Sequence, residues 1–112
     1  MITGNYQEHK LYHDGIEIPL EPSLKLRNHS PTGFSFGYSG SGPAQTALAL
    51  LLHFGATENE ALAWHQNLKE ELIAPLKDEL GGPLEIFSMD DRRIIDWLEA
   101  KRLFVKEFGE EE

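Results

Sequence analysis

The order of apolar and polar positions divides this chain into an alternating first third, an almost continuous apolar run, and two later stretches of helical period. Residues 6–12 and 16–20 flank His13-Asp14-Gly15, and Ile16, Ile18 and Leu20 alternate with Glu17 and Pro19. Asp-Gly supplies the positive backbone dihedrals of a tight turn, so the pattern predicts a β-hairpin with one buried face. Its second strand should end at Pro19 or lie on a sheet edge. Leu24-Lys25-Leu26-Arg27 alternates briefly, and residues 28–33 read as a loop. Phe34, Phe36 and Tyr38 alternate with Ser35 and Gly37, which predicts a strand with one aromatic face beside the hairpin in an antiparallel sheet.

At Pro43 the period changes. Residues 43–54 are apolar on nearly every face, which predicts a helix at the centre of the core, with Pro43 in its first turn, Ser41 or Gly42 as N-cap and Gly55 at its C-terminal end. Thr57-Glu58-Asn59-Glu60 matches a capping box and opens a second helix. Ala61, Trp64 or His65, Leu68 and Leu72 form its inward stripe, and Pro75 ends or kinks it. Gly81-Gly82-Pro83 is a loop and residues 84–87 a short strand. Ser88, followed by Asp90 and Asp91, starts a third helix whose buried stripe is Ile94, Ile95 and Leu98, with Trp97 partly packed. Residues 103–108 fit either a fraying helix or a short strand, and the acidic tail 110–112 is expected to be solvated.

These elements predict a single α+β domain over residues 1–109: a small antiparallel sheet, the N-terminal hairpin plus additional strands, packed against three helices. The length of 112 residues suits one hydrophobic core. The chain has no cysteine, which excludes disulfides, thiolate metal sites and cysteine nucleophiles. Its longest apolar run is far below a membrane span of about 20 residues, and no basic segment precedes a long apolar run at the start. The expectation is a cytoplasmic chain without a membrane partner.

Charge changes the picture of partners. The net charge is −9, and it is unevenly spread: residues 1–57 carry four acids and three bases, residues 58–112 fifteen and seven. The helical half therefore carries the negative field, which repels phosphate backbones and makes a basic protein the expected partner.

The glycine and serine cluster at residues 37–42 resembles two known sites and matches neither. Gly37 and Gly42 have the spacing of a phosphate-binding loop, but Pro43 and Ala44 stand where a lysine and a hydroxyl residue should follow. Gly37-Tyr38-Ser39-Gly40-Ser41 lacks the last glycine of a nucleophile elbow. The favoured reading is structural: small residues let the chain bend tightly into the buried helix. His9 and His13, four apart on a strand, would lie about 13 Å apart, too far to share an ion, and His53 and His65 belong to helices that could meet. No complete catalytic set, metal site or cofactor site is expected. A polar loop beside the glycine turn leaves one candidate ligand lining: Asn28, His29, Thr32, Tyr38, Ser39 and Ser41.

The segment NHSPTGFSFGYSGSGPAQTALALLL, residues 28–52, resembles the hallmark of a family of small prokaryotic domains of unknown function carried on bacterial chromosomes, plasmids and phages. That hallmark is an Asn-His-Ser-Pro-Thr-Gly-Phe segment, an aromatic-Gly-Tyr-Gly-Gly-Ser-Gly-Pro-Ala segment and an Ala/Leu-rich helix. Weaker likeness extends to Asp14-Gly15 and to Ile95-Asp96-Trp97-Leu98. Phe36 stands where tryptophan is usual, and Ser39 where glycine is usual. The resemblance implies a stand-alone cytoplasmic domain with no activity to transfer. The functional expectation is a non-enzymatic interaction or accessory module. The alternatives are a small-ligand or anion site built from the 28–33 loop and the glycine turn, and an acidic DNA mimic that inhibits a nucleic-acid-binding protein.

Overall fold

A computed structural model describes residues 1–109, and the acidic tail at 110–112 lies outside the described residues. The fold is α+β. Four strands, β1 (Ile2–Asn5), β2 (Lys10–His13), β3 (Ile16–Glu17) and β4 (Ile86–Met89), form one antiparallel sheet in the order β3-β2-β1-β4. Four α-helices accompany it: α1 (Glu21–Leu26), α2 (Ser41–His53), α3 (Glu58–Leu68) and α4 (Asp91–Phe108).

The Asp14-Gly15 turn forms as the sequence predicts, with φ of 50° and 81° at its two central residues. The first hairpin strand, however, begins at Lys10 rather than at residue 6, and its partner is only two residues long. Ile16 is 75% exposed and Ile18 is buried, so the alternation there does not mark one buried face. The sheet is completed by β1, whose Ile2 and Gly4 lie opposite His13 and Leu11 on one side and Met89 and Phe87 on the other. Residues directly opposite one another share a face. Ile2, Leu11, Phe87, Met89 and His13 therefore all point to the side on which the buried cluster with Leu48 and Leu51 of α2 is built.

Helix α2 is the centre of that cluster: residues 42–51 are buried without interruption. Its N-cap is Gly40, which brings no side-chain cap, in place of the predicted Ser41 or Gly42. Gly55 carries φ of +100° just past the helix end, as the sequence implies. Leu24, Lys25 and Leu26 are helical instead of extended, because Pro22 opens a short helix that turns Ser23 onto α2 and ends before the extended Arg27. That makes a fourth helix beside the three predicted.

Residues 34–38 form no strand. Phe34 N–H donates to His9 O (2.9 Å), Ser35 N–H to Thr46 Oγ1 (3.0 Å) and Gly37 N–H to Ile73 O (3.0 Å), so these amides are divided among a turn, α2 and the π-helical segment that follows α3, and none of them joins a ladder. Phe34 and Phe36 are buried, but so are Ser35 and Gly37 between them, whereas Tyr38 is exposed.

The Thr57–Glu60 capping box is present, and Ala61, Trp64, His65 and Leu68 are the buried stripe of α3. The helix continues as a π-helical turn, Lys69–Ile73, and has already ended when Pro75 is reached. Helix α4 starts two residues later than expected, capped by Asp90, whose carboxylate accepts from Arg92 N–H at 2.8 Å, while Ser88 belongs to β4. Residues 103–108 complete this helix rather than forming a strand. Among the described residues no helix is long and apolar enough to cross a membrane.

Candidate functional site

The polar side chains of α2 determine how the 28–33 loop is held. Gln45 is fully buried; its Oε1 accepts from the backbone N–H of His29 (2.8 Å) and of Ser30 (3.0 Å). Its Nε2 donates to Ser23 Oγ (2.9 Å), which in turn donates to Leu20 O (2.9 Å). One turn position on, Thr46 Oγ1 accepts from Ser35 N–H and donates to Ser35 O at 2.6 Å. Two adjacent helix residues thus fasten α1, the loop and the aromatic segment together. The amides of His29 and Ser30 are spent on this tether.

The six candidate ligand residues fall into two groups. His29 leans on α3, whereas Ser39 donates to Glu70 Oε1 at 2.5 Å on the π-helical turn. Tyr38 lies against Gly40 and Gly42, and Asn28, Thr32 and Ser41 are exposed. Glu70 is held below the usual carboxylate range by the Ser39 hydroxyl and then by Lys69, so a negative charge stands at the glycine turn.

His29 and His65 meet through their Nε2 atoms at 2.9 Å. His65 Nδ1 lies 2.9 Å from Ala61 O and 3.0 Å from Leu62 O, so this nitrogen must carry the proton. In the neutral ring Nε2 is then an acceptor, and His29 must donate to it from its own Nε2–H. A second proton between these nitrogens would set two donors against each other. Burial pushes both imidazoles below their ordinary pKa, with Arg27 adding to the effect at each. The unfolded chain therefore takes up protons first: stability is complete above about pH 6.5 and is lost as pH falls through the depressed folded values. A fall in Tm is expected between about pH 7.5 and pH 5, and a His65→Gln variant followed by circular dichroism should show a shallower fall.

A second histidine cluster joins residues far apart in sequence. His13 ends β2 on the core face of the sheet, His53 lies in the last turn of α2, and Asp91 opens α4. His13 Nδ1 is 2.9 Å from His53 Nε2, and His13 Nε2 is 2.8 Å from Asp91 Oδ2 and 3.7 Å from Asp14 Oδ2. The amino group of Met1 pairs with both carboxylates, at 2.8 Å to Asp14 and 2.7 Å to Asp91. Burial lowers the His53 pKa, and His13 lowers it further. His53 also lines a cavity of about 200 Å³ with Ile18, Pro22, Ala49 and Leu52. His13 does not meet His9, as expected, although His9 sits in a turn at φ of 58° rather than on a strand, and His53 pairs with His13 rather than with His65, which it could have met. Only position at the end of an element marks these residues in the sequence.

The third feature is a cleft along α4. Trp97 is common to two adjoining hollows of about 500 and 260 Å³, walled by Leu72 and Glu71 of the π-helical turn and by Ala100 and Phe104 of α4, with Asp90 and Asp96 alongside Arg92, Arg93 and Lys101 also lining them. Trp97, Phe104 and Phe108 share one flank of the helix, and the last two are 42% and 72% exposed with rings 5.1 Å apart. Leu103, on the outer side, is 58% exposed.

No curated protein and no solved structure matches the chain. A family model does, over residues 4–100. That span takes in all of the sheet but the first half of β1, the tethered loop, α2, α3 and the first half of α4, and the chain accordingly belongs to the family of unknown function DUF6166.

Proposed function

We propose that this protein is a non-enzymatic interaction module that captures a basic, amphipathic segment of another protein along the flank of α4. The supporting observation is the aromatic stripe Trp97, Phe104 and Phe108 beside the Glu71-walled cleft. Aromatic side chains grouped along one groove, here the half-buried Trp97 beside the exposed Phe104 and Phe108, are the usual anchors of a helix-in-groove contact. The field of the whole chain, at −9, repels a second copy and attracts a cationic segment; the cleft wall itself is balanced, Asp90, Asp96 and Glu71 against Arg92, Arg93 and Lys101.

The test uses a synthetic Lys/Leu amphipathic helical peptide, titrated against the intact chain by tryptophan fluorescence and NMR shift mapping. Binding should map to α4, weaken as salt rises, and weaken by about 10-fold or more in a Phe104→Ser/Phe108→Ser variant. Both side chains are exposed, so that variant should keep its Tm. Absence of binding at low salt, or binding indifferent to the double substitution, overturns the reading. Shifts confined to residues 28–33 and 37–41 on adding phosphate or a nucleotide would transfer the function to the loop.

A further inference from the structure

We propose that His13, Asp14 and Asp91 form a binding site for a first-row divalent metal ion of the zinc class, with His53 fixing the His13 ring from its other side. One ligand atom from each of the three lies within 4.8 Å of the others. Tetrahedral ligands on bonds of 2.0–2.1 Å are about 3.4 Å apart. The His13 Nε2 separations of 2.8 Å to Asp91 and 3.7 Å to Asp14 bracket that distance, and the two carboxylates lie within 4.8 Å of each other, so the three ligands close around an ion by side-chain movement alone.

Two further observations point the same way. Metal-bound histidines use their second ring nitrogen on an outer hydrogen-bond partner, which fixes ring and tautomer. His13 Nδ1 has that partner in His53 Nε2 at 2.9 Å, and the ring is held edge-on by Phe54 at 5.0 Å. The Asp91 carboxylate can only accept, so without an ion His13 Nε2–H donates to it at 2.8 Å; an ion must displace that proton, and with Nδ1–H then donating to His53 the Nε2 lone pair serves the metal. The place between those carboxylates also already holds a positive group, the Met1 amino group, which an ion would displace. One imidazole with two carboxylates suits zinc, cobalt or manganese better than magnesium, which strongly prefers oxygen ligands and water. Three protein ligands leave a fourth position open.

The experiment is calorimetric titration of the metal-stripped chain with Zn²⁺, alongside Co²⁺ followed by its visible absorption. One equivalent should bind, Tm should rise with metal concentration, and Mg²⁺ should give neither effect. His13→Gln should abolish binding. Asp14→Asn, in an exposed turn where folding is not at risk, should weaken it about 10-fold or more, and His53→Ala should do so by a similar factor. His29→Gln, in the other histidine pair, should leave it unchanged. No uptake of Zn²⁺ or Co²⁺, uptake unaffected by His13→Gln and Asp14→Asn, or equal uptake of Mg²⁺ would overturn the assignment.

Discussion

Replacing Gln45 with leucine is expected to cost about 3 to 5 kcal/mol of folding stability, measured by urea denaturation. Leucine has nearly the same bulk, so the loss comes from unpaired polar groups rather than from a cavity. The N–H groups of His29 and Ser30 lose their shared acceptor, and Ser23 Oγ loses a donor. An unsatisfied buried donor costs about 1–3 kcal/mol, and the two amides alone reach most of the predicted effect. Loosening should be local at first: hydrogen exchange at residues 28–33 should accelerate more than exchange in α3. A substitution with less than about 1 kcal/mol of effect would mean that water replaces the glutamine and that the loop is not held by it.

Gly37→Ala should destabilise by about 2 to 5 kcal/mol, combining a strained dihedral with overlap. The residue has φ of +84°, and a Cβ there would lie 2.6 Å from Pro83 Cα and 2.7 Å from Leu76 O. Those are main-chain atoms, which cannot rotate away. Gly81 has nearly the same dihedral, φ of +87°, with nothing within 4 Å of the Cβ position. Gly81→Ala should therefore cost about 1 kcal/mol, and the difference between the two variants isolates the steric part. Equal losses would show that the close approach to residue 83 is not what requires glycine at 37.

The same position shows where sequence reasoning succeeded. Glycine at 37 and 42 was legible as a device for tight packing because no phosphate or nucleophile chemistry was complete around it; Gly42 does approach Ser35 Cβ and Tyr38 Oη too closely for a side chain. Helix α2, the capping box of α3 and the Asp14-Gly15 turn were equally legible, since each depends on residues adjacent in the chain. Strand β1 was not. Its Ile2-Thr3-Gly4-Asn5 is too short to show an alternating pattern, with Gly4 and Asn5 opposing the preference of Ile2 and Thr3, and it is a strand because β2 and β4 pair with it on both sides. Alternation over residues 34–38 misled because burial on both sides of an irregular segment leaves the same imprint as a pleat. The His13 cluster was hidden for a related reason: its members meet only through the register of β1 on β2 and the placement of two helix ends. The exposed aromatics of α4 were visible as residues, but their lack of a covering element could not be read from spacing.

The pairing of Ile2–Asn5 with Ile86–Met89 sets a condition on how the molecule is made. The first strand to be synthesised waits for one of the last, while the helices between them can assemble from near neighbours. Closing so long a loop is slow compared with forming a hairpin. On the ribosome, a helical middle should thus mature ahead of a sheet that stays half-built, its oily face shielded only by what α2 can offer, until the final clasp snaps shut.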